Sequence, residues 1–182
     1  MDTVLTSICA TLLMIVAVAA APQHVNITDD AFGAVADDGQ DDTAAIQAAI
    51  EAVGETGGTV LIPPGTFEAS TATGITVNHD RIRIIFEGDL HVTTDGRESQ
   101  DCTNLFTIRG ARCEFIGAGG MIYGDGIPFT GEKATRDVHR VLILPKLIYF
   151  VTPAHHGVIR DLVMQDPPGG FAAFIGVDDC SM

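Results

Sequence analysis

From residue 58 onward the chain is a series of short apolar runs broken by Gly, Asn, Asp or Pro: TVLIPPGTFEAS, GITVN, RIRIIFEGDLHVT, NLFTIRGARCEFIGAGGMIYG, LIYFV, GVIRDLVMQD and FAAFIGV. Runs of this length, rich in Val, Ile, Phe and Thr and bounded by turn formers, read as β-strands. One earlier stretch is different. Ile46, Ala49, Ile50 and Val53 recur at i, i+3, i+4 and i+7, the stripe of an amphipathic helix from Asp42 to Val53. Asp41, Asp42 and Thr43 open it, and an aspartate there supplies an N-cap and complements the macrodipole. Gly54, Gly57 and Gly58 stop it. No second long helical pattern follows, which argues against alternating strand and helix units. The expectation is an all-β fold with one early helix.

Spacing suggests how the strands are arranged. Ile84 and Ile108 are 24 residues apart, and so are Phe150 and Phe174. A repeated interval of this size points to a solenoid coil. Ile108 to Phe150 is 42, one coil plus 18 residues, and the polar stretch from about 125 to 145 has the composition of an inserted loop. Periodicity alone leaves a sandwich of irregular strands open.

Val4 to Ala21 form an almost unbroken apolar run ending in small residues before Pro22, as a cleaved secretory signal would. Asp2 and the lack of an early Lys or Arg depart from that pattern, and a membrane anchor is the competing reading. Export would place Cys102, Cys113 and Cys180 in an oxidising compartment. Three is an odd number, so Cys180 could pair outside the chain, or all three could be small buried hydrophobes.

Charge is unevenly spread. Of 24 acids and 10 Lys+Arg among 182 residues, 11 acids and no base fall in residues 1–80, so that front carries −11 of the net −14. This excess argues against a nucleic-acid partner, since phosphate binding needs a cationic face.

The run FGAVADDGQDDTAAIQAAIEAVGETGGTVLIPPGTFEAS resembles the opening of the secreted, pectin-active proteins of the pectate-lyase-like superfamily, with Phe-Gly-Ala, Asp-Asp-Thr before a helix, and Gly-Gly-Thr-Val before Pro-Pro-Gly-Thr-Phe. FEGDLHV, CEFIGAGGMIYGDG and LPKLIYFVTPAHHGVIRDLVMQDPPGGF are similar to successive coils of the family 28 glycoside hydrolases, the polygalacturonase and rhamnogalacturonase group. The usual Asn-Ser-Pro-like turn is here Gln165-Asp166-Pro167. The resemblance implies a right-handed, single-stranded parallel β-helix with an N-terminal capping α-helix. Residues 1–21 would then be a signal peptide or anchor, 22–58 the capping segment, and 59–182 the first coils. Corners would fall at 63–65, 87–89 and 117–120.

Candidate chemistry is sparse. The family's Asn-Thr-Asp, Gly-Asp-Asp, Gly-His-Gly and Arg-Ile-Lys strings do not occur in this sequence. Asp178-Asp179-Cys180 superficially matches a catalytic Asp-Asp-Cys but arrives without the preceding string, so a solvated turn competes with it. Asp37, Asp38, Asp41 and Asp42 could be imagined around Ca²⁺, although helix capping accounts for two of them. His155-His156 reads as an exposed turn pair rather than a metal site. Asp161 and Asp166, five apart, fall on opposite strand faces. Arg81 and Arg83 share a face and could contact an anionic sugar. No residue is therefore assigned to catalysis or metal binding, and no cofactor is expected.

The resemblance implies hydrolysis of glycosidic bonds in pectin-type polyuronides by paired carboxylates, with the catalytic coils beyond this chain and the chain alone inactive. The expected partner is a polysaccharide, the expected location is extracellular, and stable membrane association would end with signal cleavage. A pectate lyase acting by β-elimination with Ca²⁺, and a noncatalytic glycan-binding β-helix such as an adhesin or tailspike module, are the alternatives.

Overall fold

The computed structural model describes residues 23–97, 101–126 and 145–182. The apolar segment 4–21 and most of the 125–145 insertion lie outside the described residues. The strands fall into three sheets. The first holds β1 (Gln23–Asn26), β2 (Gly58–Ile62), β5 (Ile82–Phe86), β8 (Glu114–Gly117) and β11 (Val158–Arg160). The second holds β3 (Thr66–Ser70), β6 (Asp89–Thr93), β9 (Met121–Gly124) and β12 (Val163–Gln165). The third holds β4 (Ile75–Val77), β7 (Phe106–Ile108), β10 (Lys146–Val151) and β13 (Gly170–Ile175). From β2 on, the chain visits the sheets in turn and returns to the first, so each circuit is one coil of a parallel β-helix. Every strand pairing among the described residues is parallel, which excludes a sandwich of antiparallel hairpins there.

Register corrects one expectation. Phe150 lies beside Phe174 and Ile108 beside Phe150 in the third sheet, as the 24 and 42 intervals imply. Ile84 and Ile108 do not stack, because they sit on β5 and β7, in different sheets of one coil. Ile84 instead pairs with Val60 and Phe115 in the first sheet. Extra residues between β6 and β7 lengthen that coil without shifting the strands, so equal sequence spacing is not a reliable guide to register.

Inward positions build the core. Val60, Ile84, Phe115 and Ile159 form one buried ladder, Val77, Ile108 and Phe150 another, and Phe67, Leu90 and Ile122 a third. Phe106 meets Phe115 edge-on at 5.2 Å, and Phe150 stacks on Phe174 at 5.0 Å. Each such side chain contributes about 1.5–3 kcal/mol by leaving water.

The helix α1 (Thr43–Gly54) closes the top, with Ile46, Ala49, Ile50 and Val53 fully buried as the stripe requires. An open first coil would leave rows of unpaired strand groups, and each sheet is covered differently. The first sheet is edged by β1. At the second, Asp42 exchanges backbone and side-chain hydrogen bonds with Glu68, and the Thr43 hydroxyl accepts the Ser70 N–H. At the third, the Gln47 amide accepts from Thr76 N–H at 2.8 Å and donates to its carbonyl at 3.0 Å.

The N-cap expectation changes accordingly. Asp42 occupies the cap position but its carboxylate makes no capping bond. It accepts the N–H groups of Val35 and Glu68 instead, and Asp41 takes the Thr43 N–H at 2.9 Å. The predicted corners are found at 63–65, 87–88 and 118–120. Coils approach so closely there that a Cβ on Gly120 would lie 1.9 Å from the Gly88 oxygen.

Candidate functional site on the second sheet

Side chains on β3, β6 and β9 alternate, so Phe67, Leu90 and Ile122 point inward while Glu68, His91 and Tyr123 stand in register outside. The His91 and Tyr123 rings stack at 4.9 Å and 24°. His91 Nε2 lies 3.1 Å from an Asp125 oxygen and Nδ1 lies 3.6 Å from Glu68. The Tyr123 phenol is pushed above its ordinary pKa by burial, reinforced by the carboxylates of Asp89, Glu68 and Asp125. It therefore stays a hydrogen-bond donor through neutral pH.

Beside this stack lies an open groove of about 490 Å³ whose lining includes the carboxylates of Asp41, Glu68, Asp95 and Asp125. Asp95 is held by the hydroxyls of Ser70 and Thr93. A groove of carboxylates next to a stacked aromatic face suits a ligand rich in hydroxyl donors, which is the chemistry of a sugar. Glu68 and Asp125 both face His91, so neither is placed as a lone general acid or base.

None of Glu68, His91, Tyr123 and Asp125 was singled out by the sequence. The signal was the outward position in TFEAS, DLHVT and MIYG, but the three strands meet at offsets of 23 and 32 residues, which no fixed period reveals.

The residues singled out from sequence are placed as follows. Asp37 and Asp38 accept the N–H groups of Thr66 and Gln40, so with Asp41 and Asp42 they tie the approach segment to itself and to β3. Among the described residues no group of three or more His, Cys, Asp or Glu is arranged to hold a metal. His155-His156 and Asp178-Asp179-Cys180 are brought together on successive coils: His155 bridges Asp178, His156 Nδ1 lies 3.6 Å from Asp179, and the Gly157 N–H meets the Cys180 sulfur at 3.2 Å. This is an exposed corner. Asp161 and Asp166 flank β12 at separate turns, with Asp161 beside Arg160 and Asp166 beside Gln165. Arg83 lies on β5 and Arg81 at the turn before it, and both line one shallow depression on the first sheet. Cys113 is buried and its thiol is pushed up to about 11 by that burial, as expected of a small core residue, whereas Cys180 is only half-buried. Among the described residues no helix is long and apolar enough to cross a membrane.

Comparison with known proteins adds three findings. A family model described as rhamnogalacturonase A/epimerase, pectate lyase-like, matches residues 24–118, from β1 through the turn after β8. No curated protein matches. Among solved structures, a candidate glycosyl hydrolase from Parabacteroides merdae is 16% identical with a TM-score of 0.61, over 87% of this chain and 70% of that one. An iota-carrageenase of family GH82 from A. fortis, solved without chloride ions, is 20% identical with a TM-score of 0.53, over 87% of this chain and 39% of its own. An iota-carrageenase bound to iota-carrageenan fragments is 21% identical with a TM-score of 0.54, over 88% of this chain and 42% of its own. The chain thus spans about two fifths of either carrageenase. At these identities the likeness is one of fold, the parallel β-helix.

Proposed function

Because the chain belongs to the rhamnogalacturonase A/epimerase, pectate lyase-like family, we propose that it serves the hydrolysis of an acidic, pectin-type polysaccharide outside the cell, and that the coils described here contribute glycan binding. The observation that carries this reading is the family match over residues 24–118, more than half of the chain. The sheet-two groove supports the glycan-binding part of this reading, since its carboxylates offer acceptors to sugar hydroxyls. The extracellular location rests on the apolar segment 4–21.

A noncatalytic binding role is the second reading. It is favoured by the engagement of the groove's carboxylates with their neighbours, Glu68 and Asp125 with His91, Asp95 with the Ser70 and Thr93 hydroxyls and Asp41 with the Thr43 N–H, rather than as an opposed acid and base. The test is to incubate the purified full chain with polygalacturonate, rhamnogalacturonan and a neutral galactan, measuring retention in affinity gels and new reducing ends. Retention on the pectin-type polymers is expected. New reducing ends without ultraviolet-absorbing unsaturated ends would assign hydrolysis, reducing ends accompanied by unsaturated ends would assign a lyase, and retention without either would assign the binding role. No retention and no turnover on any glycan would overturn the proposal.

A further inference from the structure

The corner that leads into the first sheet is turned, in every coil, by one residue in the left-handed region. Because Gly58 pairs with Ile82, Arg83 with Glu114, Glu114 with Val158 and His155 with Asp178, the preceding or following residues Gly57, Arg81, Arg112, His156 and Asp179 stack in one column. Their φ values are 73, 59, 56, 54 and 53°. This conformation favours glycine, and the first coil uses it. The next two coils carry arginine instead, so a feature other than local backbone preference accounts for those side chains.

Arg81 and Arg112 are exposed and, with His24 and Arg83, line a depression of about 220 Å³. The charges around them are unequal in availability. Arg83 is paired with Glu114 at 3.2 Å, and Arg160, near the same Glu114, also pairs with Asp161. Asp80, next to Arg81, accepts the Ala111 N–H at 2.8 Å. Among the described residues the Arg81 guanidinium donates only to the Thr56 carbonyl at 3.4 Å, and Arg112 has no acidic partner within ion-pair distance. Two guanidiniums therefore remain available on adjacent coils of a chain whose net charge is −14.

We infer that the Arg81–Arg112 column is an anion-recognition edge that binds carboxylates of an acidic polysaccharide lying along the coil stack. The planar guanidinium fork matches a carboxylate in two parallel hydrogen bonds. Coils repeat at about 4.8 Å along the stack, so the two guanidiniums lie close enough for one acidic segment of a polysaccharide to reach both. The groove on the second sheet offers acceptors to sugar hydroxyls, whereas this edge offers the cations that pair with a uronate carboxylate. The inference rests on the reading that the protein acts on an acidic polysaccharide and assigns the part of the molecule that recognises the acid.

The test compares the full chain with the Arg81→Gly/Arg112→Gly double variant on polygalacturonate, fully methyl-esterified pectin, iota-carrageenan and a neutral galactan. The unaltered chain is expected to bind polygalacturonate, more weakly as salt rises, and to lose that binding on esterification. The double variant is expected to bind about tenfold more weakly, with a thermal midpoint no lower than that of the parent, since glycine suits both turns. If the glycine pair fails to fold, Arg81→Gln/Arg112→Gln carries the same comparison. Equal binding by the variant would overturn this inference while leaving the proposed function standing. Tighter binding of iota-carrageenan than of polygalacturonate would overturn the choice of carboxylate over sulfate. Failure of the unaltered chain to bind polygalacturonate would also overturn it, and only failure on every glycan would take the proposed function with it.

Discussion

The Thr43 hydroxyl accepts the Ser70 N–H at 2.7 Å, and both residues are buried. This single bond joins the first residue of the capping helix to the last residue of β3, on an edge where no further strand covers Ser70. Replacing Thr43 by valine keeps the volume and leaves the amide without an acceptor. A buried donor stranded in this way costs about 1–3 kcal/mol. Urea denaturation of Thr43→Val should show a lowered midpoint with an unchanged slope, and an unchanged midpoint would show that water satisfies the amide.

Asp42 should behave as a buried carboxylate whose proton affinity is raised on folding. Burial is the largest cause, opposed by the N–H groups of Val35 and Glu68 and reinforced by Asp38 and Asp41. A folded pKa above the unfolded one means that the native state holds the proton more tightly. This group's contribution to stability therefore falls as pH rises from about 4, the unfolded value, through the folded pKa. Asp42→Asn removes that dependence but presents an amide to two N–H donors, only one of which it can accept. The variant should be about 1–3 kcal/mol less stable at neutral pH, and its deficit should widen on acidification through that window. A deficit that narrows on acidification would contradict the raised pKa.

Close stacking at the first corner predicts a sharp contrast between glycines. A Cβ on Gly120 would lie 1.9 Å from the Gly88 oxygen, and one on Gly88 would lie 2.0 Å from the Pro63 oxygen, all backbone atoms. Gly120→Ala must therefore separate two coils, a loss of more than about 3 kcal/mol. Gly39, at φ 66° with open space around it, should cost only about 1 kcal/mol as alanine. Denaturation midpoints of the two variants test the ordering, and equal losses would refute it.

Legibility in the sequence follows the range of the interactions. The stripe of Ile46, Ala49, Ile50 and Val53 depends on local periodicity, and the Gly and Pro corners depend on local backbone preference, so both were readable. β1 was not: QHVN has little pattern, and its role in covering β2 is set 35 residues away, as in the pairing of His24 with Thr59. Ile84 and Ile108 share the 24-residue interval without stacking, because loop length between β6 and β7 is free to vary while register is not. The same freedom hid the ladder of Glu68, His91 and Tyr123. His155 and Asp178 were each visible alone, but their meeting required the coil to be closed.

Cysteine environment should appear directly in labelling rates. Cys113 is buried, with its thiol raised to about 11 mainly by that burial, while Cys180 is half-buried near the exposed 178–180 corner. The thiolate is the reactive form, so Cys113 should resist iodoacetamide in the native protein at mildly alkaline pH and react on unfolding. Cys180 should be modified under native conditions. Mass spectrometry of tryptic peptides reads both, and native modification of Cys113 at the rate of Cys180 would contradict the packing described here.

Tyr123 provides the most direct probe of the face beside the groove. The chain has two tyrosines, so Tyr149→Phe leaves Tyr123 as the sole phenol. Burial, with Asp89, Glu68 and Asp125 nearby, raises its pKa, and its phenolate absorbance should therefore rise above the ordinary value of about 10. Asp125→Asn in the same background removes one carboxylate and should move the midpoint back down, while circular dichroism verifies that the coils persist over the titration. A titration at or below the ordinary value, in a protein still folded, would show that the phenol is solvated and that the face beside the groove lacks the environment assigned to it.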